Sequence, residues 1–170
     1  SQGALKINAA TVAAIPEFNH REYQVVFVTG QKRYDGVMAQ LKGTTVADNV
    51  VIKPYIGNMP EVLPRVAAIV GRAGATSLAE ITADGIPSIL IPSPYVTADH
   101  QTKNANSLAT VGAAEIIKEA DLTGETLIAK ADQLMTNDAL RQDMATASKQ
   151  LGVPDAADRV LDVVEALKRD

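Results

Sequence analysis

Along the chain, short runs of β-branched and other apolar residues alternate with longer segments whose apolar positions recur at helical spacing. Residues 23–29 (YQVVFVT) read as a strand and 32–42 as the helix after it. Residues 50–54 (VVIKP) form a second strand and 59–65 a short helix. A third strand over 66–71 feeds a helix over 75–83, which Gly85 stops. A fourth strand spans 87–91, and Asp99, a favourable N-cap, opens a helix to about residue 110. A fifth strand over 114–117 precedes helices over 123–135, 138–149 and 155–168, with Gly152 to Pro154 a helix break and not a domain linker. Nearly continuous Val/Ile/Leu strands separated by helices predict an α/β fold: one parallel sheet with helices on both faces.

The opening of the chain departs from this rhythm. Residues 1–4 (SQGA) run straight into an apolar helix over 5–14, as a βα turn would without its strand. A doubly wound sheet that opens this way lacks its first, usually central, strand, so the sequence is expected to be a fragment of a longer protein. Its 170 residues amount to one domain, large enough to bury a core. A net charge of −4 and the absence of a Lys/Arg block argue against nucleic acid as a partner. No apolar run approaches the roughly 20 residues of a membrane span, and no signal-peptide pattern opens the chain. The lack of Cys removes thiolate chemistry and Cys-bearing zinc sites, and it fits a cytoplasmic setting.

Candidate chemistry gathers in three segments, each following a predicted strand. These are YIGN at 55–58, GRAGATSLAE at 71–80, and the stretch from Ser93 to Asn104 that contains DHQTKNA at 99–105. In open α/β sheets, ligands bind outside the carboxyl ends of the strands. In the second segment a small-residue turn lets backbone approach a phosphate, and the helix N-terminus faces the anion with free N–H groups. Glu80 lies four residues after Thr76 and three after Ser77, so the three share a helix face. One turn beyond the phosphates, its carboxylate can accept hydrogen bonds from a ribose diol. Backbone for phosphate and carboxylate for ribose make a nucleotide-binding arrangement.

These segments resemble the C-terminal, donor-binding half of the MurG family, the GlcNAc transferases of peptidoglycan synthesis, across essentially the whole chain. SQGA at 1–4 is similar to the end of that family's GGSQGA loop, RAGATSLAE at 72–80 to its donor motif, and DHQTKNA to its sugar-contacting segment. The resemblance implies a GT-B fold of two Rossmann-like halves, of which this chain is one and the acceptor-binding half, with the general base, is absent. It implies UDP-GlcNAc as donor, lipid I as acceptor and lipid II as product, no cofactor or metal, and a role in cell wall synthesis, cell shape and division. The full-length enzyme would be peripheral on the cytoplasmic face of the membrane, touching it through the absent half; the fragment alone would be inactive. The resemblance also implies site residues: Ser1 by the diphosphate, the backbone of Ile56 at the uracil edge, and Ala75, Thr76 and Ser77 at the phosphates. Leu78 and Ala79 complete that donor segment, Glu80 holds the ribose, and His100 and Gln101 meet the sugar.

Plainer roles stand beside these. The Gly71/Gly74 turn can serve helix–strand packing alone, and Arg72 can meet a phosphate or form a structural salt bridge. Asn104 is expected to brace its loop, His20 to be solvated, Tyr55 to pack, and Val160, Leu161, Val164 and Leu167 to form a docking face. No P-loop, GxGxxG, HExxH or GxSxG is present, and no Asp-x-Asp pair of the kind that holds Mg²⁺ on a sugar nucleotide. The rival readings are a donor subunit of a two-chain GlcNAc transferase, a UDP-GlcNAc epimerase-like domain, and a non-catalytic nucleotide-sugar-binding domain.

Overall fold

A computed structural model describes residues 4–96 and 99–167. Its strands are β1 (Val25–Val28), β2 (Val50–Lys53), β3 (Ile69–Gly71), β4 (Ser88–Leu90) and β5 (Ala114–Ile116). Its helices are α1 (Ala4–Phe18), α2 (Tyr34–Gln40), α3 (Met59–Val62), α4 (Ala75–Asp84), α5 (His100–Thr110), α6 (Gly124–Met135), α7 (Asp138–Gln150) and α8 (Ala156–Leu167). The alternation predicted from the apolar pattern is present, with shorter strands. The third strand begins at Ile69 and not at 66, because a tight turn at Leu63–Arg65 closes with the Val66 amide on the Leu63 carbonyl. Helix α1 continues past residue 14 and through Pro16. So close to the helix end, that ring removes one N–H and leaves the earlier turns intact.

The strands do not join one hydrogen-bonded sheet, which corrects the expectation of a single one. β1 pairs in parallel with β2, Val25 opposite Val50 and Val28 opposite Lys53. β3, β4 and β5 form a separate parallel sheet in that order. A doubly wound sheet runs in the order 3-2-1-4-5-6. With β2 and β1 as its third and second strands and β3, β4 and β5 as its last three, the break falls at the position of the first. No described strand pairs with the open edge of β1 or of β3, where Val26 is 44% and Val70 37% exposed.

Both faces of the three-stranded sheet are covered. Leu90 joins Ala73, Leu78, Ile81, Ala105 and Leu108 on the α4–α5 side. Its neighbours Ile89 and Ile91 point the other way, as strand geometry requires, and pack with Ile117, Leu134 and Met144. In the two-stranded half, Phe27 and Val50 pack under α1, α2 and α6 through Ala10, Ala14, Val37 and Leu127. Ile7 of α1 reaches the Ile89 cluster, so this helix touches both halves.

Two glycines fix how the helices end. Gly85 stops α4 as expected: its φ is +71°, and the Ile86 amide returns to the Ile81 carbonyl at 2.9 Å. Gly152 ends α7 against α4, where a Cβ would stand 2.5 Å from the Thr82 carbonyl oxygen. α8 is amphipathic in sequence, yet it buries no residue; Val160, Leu161, Val163, Val164 and Leu167 are all exposed.

Candidate functional site

The turn between β3 and α4 is three residues long, Arg72, Ala73 and Gly74. Gly74 is the N-cap of α4 and carries no side chain to satisfy the first amides, so the helix begins uncapped. Its φ of −72° suits any residue, and a Cβ built there would meet no atom within 4 Å; the same open space lies over Gly71. Neither backbone strain nor packing within the chain requires glycine at these two positions. A bare, uncapped helix start beside open space can receive an anion at close range.

Beyond that start, Ala75, Thr76, Ser77, Ala79 and Glu80 are exposed on α4. The Glu80 side chain makes no hydrogen bond or ion pair with another described residue. Leu78 is different. Its side chain is in the core with Ala73 and Ile81, and its amide donates to the Gly74 carbonyl at 3.0 Å. It forms the wall behind the loop.

The segment after β4 is tied to this turn. The Gln101 side-chain oxygen accepts from the buried Ser93 amide at 3.0 Å, leaving its NH₂ as the group able to donate outward. Asn104 donates to the Ala73 carbonyl at 3.1 Å, so it braces as expected, but the β3–α4 turn and not its own loop. His100, the first residue of α5, is exposed. Asp99 occupies the N-cap position, but its side chain makes no capping bond. Its φ of +52° is left-handed and its amide closes a turn onto Val96, so the expected cap is replaced by a turn.

Arg72 resolves toward structure. Its guanidinium donates to the Ile91 carbonyl at 2.9 Å and pairs with the Glu119 carboxylate, which sits in the turn after β5. Glu119 went unread in the sequence: it stands 47 residues from its partner, with no local pattern marking it. Tyr95, 83% exposed in the loop after β4, also went unread. Tyr55 is 67% exposed, so the expectation that it packs is corrected; it follows β2 at the sheet's end, with no core beyond it to enter. Ile56 beside it is half-buried, and Met59 three residues on packs against the Leu63–Leu78–Ile81 cluster. This seats the β2 loop on the core that also supports α4. His20 is exposed, as expected. Ser1 lies outside the described residues.

Among the described residues no group of three His, Asp or Glu side chains is arranged to hold a metal ion, and no helix is long and apolar enough to cross a membrane. A cleft of about 380 Å³ opens at the other end of β3 and β4, beside Leu63, Val66, Ile86, Pro87 and Arg141. Arg141 is occupied there by the Leu134 carbonyl and by Asp138.

The glycosyltransferase family 28 C-terminal domain matches residues 1–160. The chain belongs to that family. A curated relative from Lactiplantibacillus plantarum, a UDP-N-acetylglucosamine--N-acetylmuramyl-(pentapeptide) pyrophosphoryl-undecaprenol N-acetylglucosamine transferase, is 62% identical over 167 residues. That match covers 98% of this chain and 46% of the relative. The crystal structure of Acinetobacter baumannii MurG superimposes with a TM-score of 0.79 at 28% identity, covering 95% of this chain and 46% of that one. A putative UDP-N-acetylglucosamine 2-epimerase from Listeria monocytogenes shares the fold at a TM-score of 0.71 and 16% identity, over 97% of this chain and 42% of that one. This family 28 chain spans about half the length of the curated relatives it matches.

Proposed function

We propose that this chain is the single-domain donor-binding half of a MurG-type transferase, residues 1–170, and that its ligand is UDP-N-acetylglucosamine. The observation that carries this is the uncapped, glycine-bare start of α4, cross-tied to the segment that holds Gln101. On this reading the amides of Ala75, Thr76 and Ser77 and the two hydroxyls take the diphosphate, with Ser1 beside it. Ile56 presents backbone to the uracil edge, Leu78 and Ala79 shape the floor, and Glu80 accepts from the ribose hydroxyls. His100 and Gln101 meet the N-acetylglucosamine. The role needs no cofactor: the helix start and its hydroxyls stabilise the charge that builds on the leaving UDP.

In the whole protein, the C4 hydroxyl of lipid I would attack the anomeric carbon, lose its proton to a base in the N-terminal half, and displace UDP with inversion to give lipid II. That half would also supply the acceptor site and the contact with the cytoplasmic face of the membrane. Calorimetry against UDP-GlcNAc, UDP-glucose and ADP-glucose tests the donor assignment. Binding should require uridine and favour GlcNAc; equal affinity for ADP-glucose would sink it. Transfer needs a positioned acceptor and a base within reach of its proton. The 170-residue chain should therefore show no turnover with a lipid I analogue until the N-terminal half is restored, and turnover by the chain alone overturns this division of labour.

A further inference from the structure

Glu119 is 6% exposed, although it lies in a turn at the end of the sheet and not deep in the core. Its partner Arg72 is the first residue of the turn leading to α4, and that guanidinium also holds the carbonyl of Ile91 just past β4. One ion pair thus joins the carboxyl ends of β3, β4 and β5. On the other side of the same turn Asn104 holds the Ala73 carbonyl. Two side chains therefore fix a three-residue stretch that belongs to no helix or strand.

Net stability is a weak reason for the pair. A buried ion pair commonly breaks even, or worse, against apolar residues of the same volume, because both charges must leave water. What it supplies is one geometry: a planar guanidinium shared between a fixed carbonyl and a fixed carboxylate allows the turn few alternatives.

We propose that Glu119 is a positioning residue which, through Arg72, sets the aim of the α4 N-terminus and so the strength of diphosphate binding. The inference rests on the donor-site reading given above. Arg72 then acts through its placement of the turn and not as the phosphate's counter-charge, since Glu119 already neutralises it. Phosphate affinity should depend on the brace, which acts on the first turn of α4; uridine recognition, which draws on Ile56 in the separate β2 loop and on Glu80 beyond that turn, should not.

The test uses the 170-residue chain with Glu119→Ala and Glu119→Gln. Amide hydrogen exchange by NMR, without ligand, should quicken at Ala73 to Leu78 in Glu119→Ala and stay unchanged at Val26 to Val28. UDP affinity should fall roughly ten- to a hundredfold, the equivalent of losing one hydrogen bond to a charged group. Affinity for uridine should hold, and Glu119→Gln, which keeps the size and one acceptor, should recover most of the loss for UDP. Uniform faster exchange through both sheets, or an equal loss for UDP and uridine, would make Glu119 a merely structural residue and overturn the proposal. If Glu119→Ala does not fold, Arg72→Lys carries the test, since an ammonium cannot hold the Ile91 carbonyl and the carboxylate in the same planar fork; the same selective pattern is expected. If the unaltered chain binds neither UDP nor uridine, the donor reading fails, and the exchange pattern still decides whether Glu119 sets the turn.

Discussion

The two halves of this chain alternate strand and helix alike, but they distribute their polar braces differently. In the two-stranded half the braces gather ahead of the strands. Asn49 donates to the carbonyls of Phe18, Arg21 and Tyr23, Asn19 donates to Thr45, and Asp132 accepts from Arg21 and Tyr23. The three-stranded half holds its amino ends through Arg141 to Leu134 and Ser148 to Ile81, and adds a set beyond the carboxyl ends: Arg72 to Ile91 and Glu119, Asn104 to Ala73, and Ser93 to Gln101. Hydrogen bonds contribute only modest net stability wherever they stand, but each fixes the loops it joins. Bracing at the amino ends secures the entry of each strand. Bracing at the carboxyl ends secures loops that a ligand would meet. Asn8 to the Thr29 carbonyl at 2.9 Å, and the Thr29 hydroxyl to the Lys53 carbonyl at 3.4 Å, hold the carboxyl ends of the first half more lightly.

Core truncation should separate the halves most strongly. Leu90 is fully buried in β4, with both faces of its strand covered, whereas Val26 in β1 is 44% exposed. Leu90→Ala should cost about 2–5 kcal/mol in denaturant unfolding, the range for deleting a buried leucine. Val26→Ala should stay within about 0.5 kcal/mol. Similar losses at both sites would mean that the open edge of β1 at Val26 is covered in solution.

Next in size is Glu80→Ala. Hydrogen bonds to charged groups are worth about 1.5–3 kcal/mol, so losing the ribose acceptor should weaken UDP at least about tenfold. Unfolding should barely change, because Glu80 is exposed on α4. A normal UDP affinity in this variant would remove the ribose role.

Gln101→Ala should produce a smaller, selective effect. The side chain that would face the sugar also satisfies the buried Ser93 amide, so its loss frees the loop as well as removing a donor. UDP-GlcNAc binding should weaken while UDP binding stays close to that of the unaltered chain. A parallel loss of both would move Gln101 to the nucleotide.

How much of this could be read in advance depended on distance along the chain. Gly85 as a helix stop and Asn104 as a brace were legible, because each acts through its own segment or through one facing carbonyl. The alternation of strands and helices was legible for the same reason: its periodicity is local. The third strand was drawn too long, since Val66 to Ala68 are apolar but lead out of a turn before pairing begins, and apolarity alone does not separate the two. The division into two sheets is invisible to periodicity, which gives each strand its faces but not its neighbours. Arg72 could be narrowed to phosphate or salt bridge, and only the fold supplied Glu119. The stripe on α8 was legible as an amphipathic helix, and the structure leaves that face exposed.

The smallest expected effect belongs to the two-stranded half and concerns pH. Asp132 accepts from Arg21 Nε at 2.9 Å and from the Tyr23 hydroxyl at 2.7 Å. Hydrogen bonds from the Arg21 guanidinium hold its carboxyl below the usual carboxylate range, and the bond from Tyr23 adds to this. A carboxylate with a depressed folded-state pKa stabilises the fold above its unfolded value, and that share is lost as pH falls through the folded value. Tyr23 is shifted the other way: burial, with Asp132 beside it, raises its pKa. Its contribution is therefore present below the ordinary tyrosine range near 10 and lost as pH rises above it. Thermal unfolding should show a plateau between these limits, with a shallow acid arm, since Arg21 and Asp132 are partly solvated and such pairs contribute little. Asp132→Asn should flatten that arm and lower the plateau slightly, while UDP affinity stays the same across the plateau, because no brace beyond β3, β4 or β5 is touched. An UDP affinity that followed Asp132 would join the two ends of the molecule and dissolve the contrast between its halves.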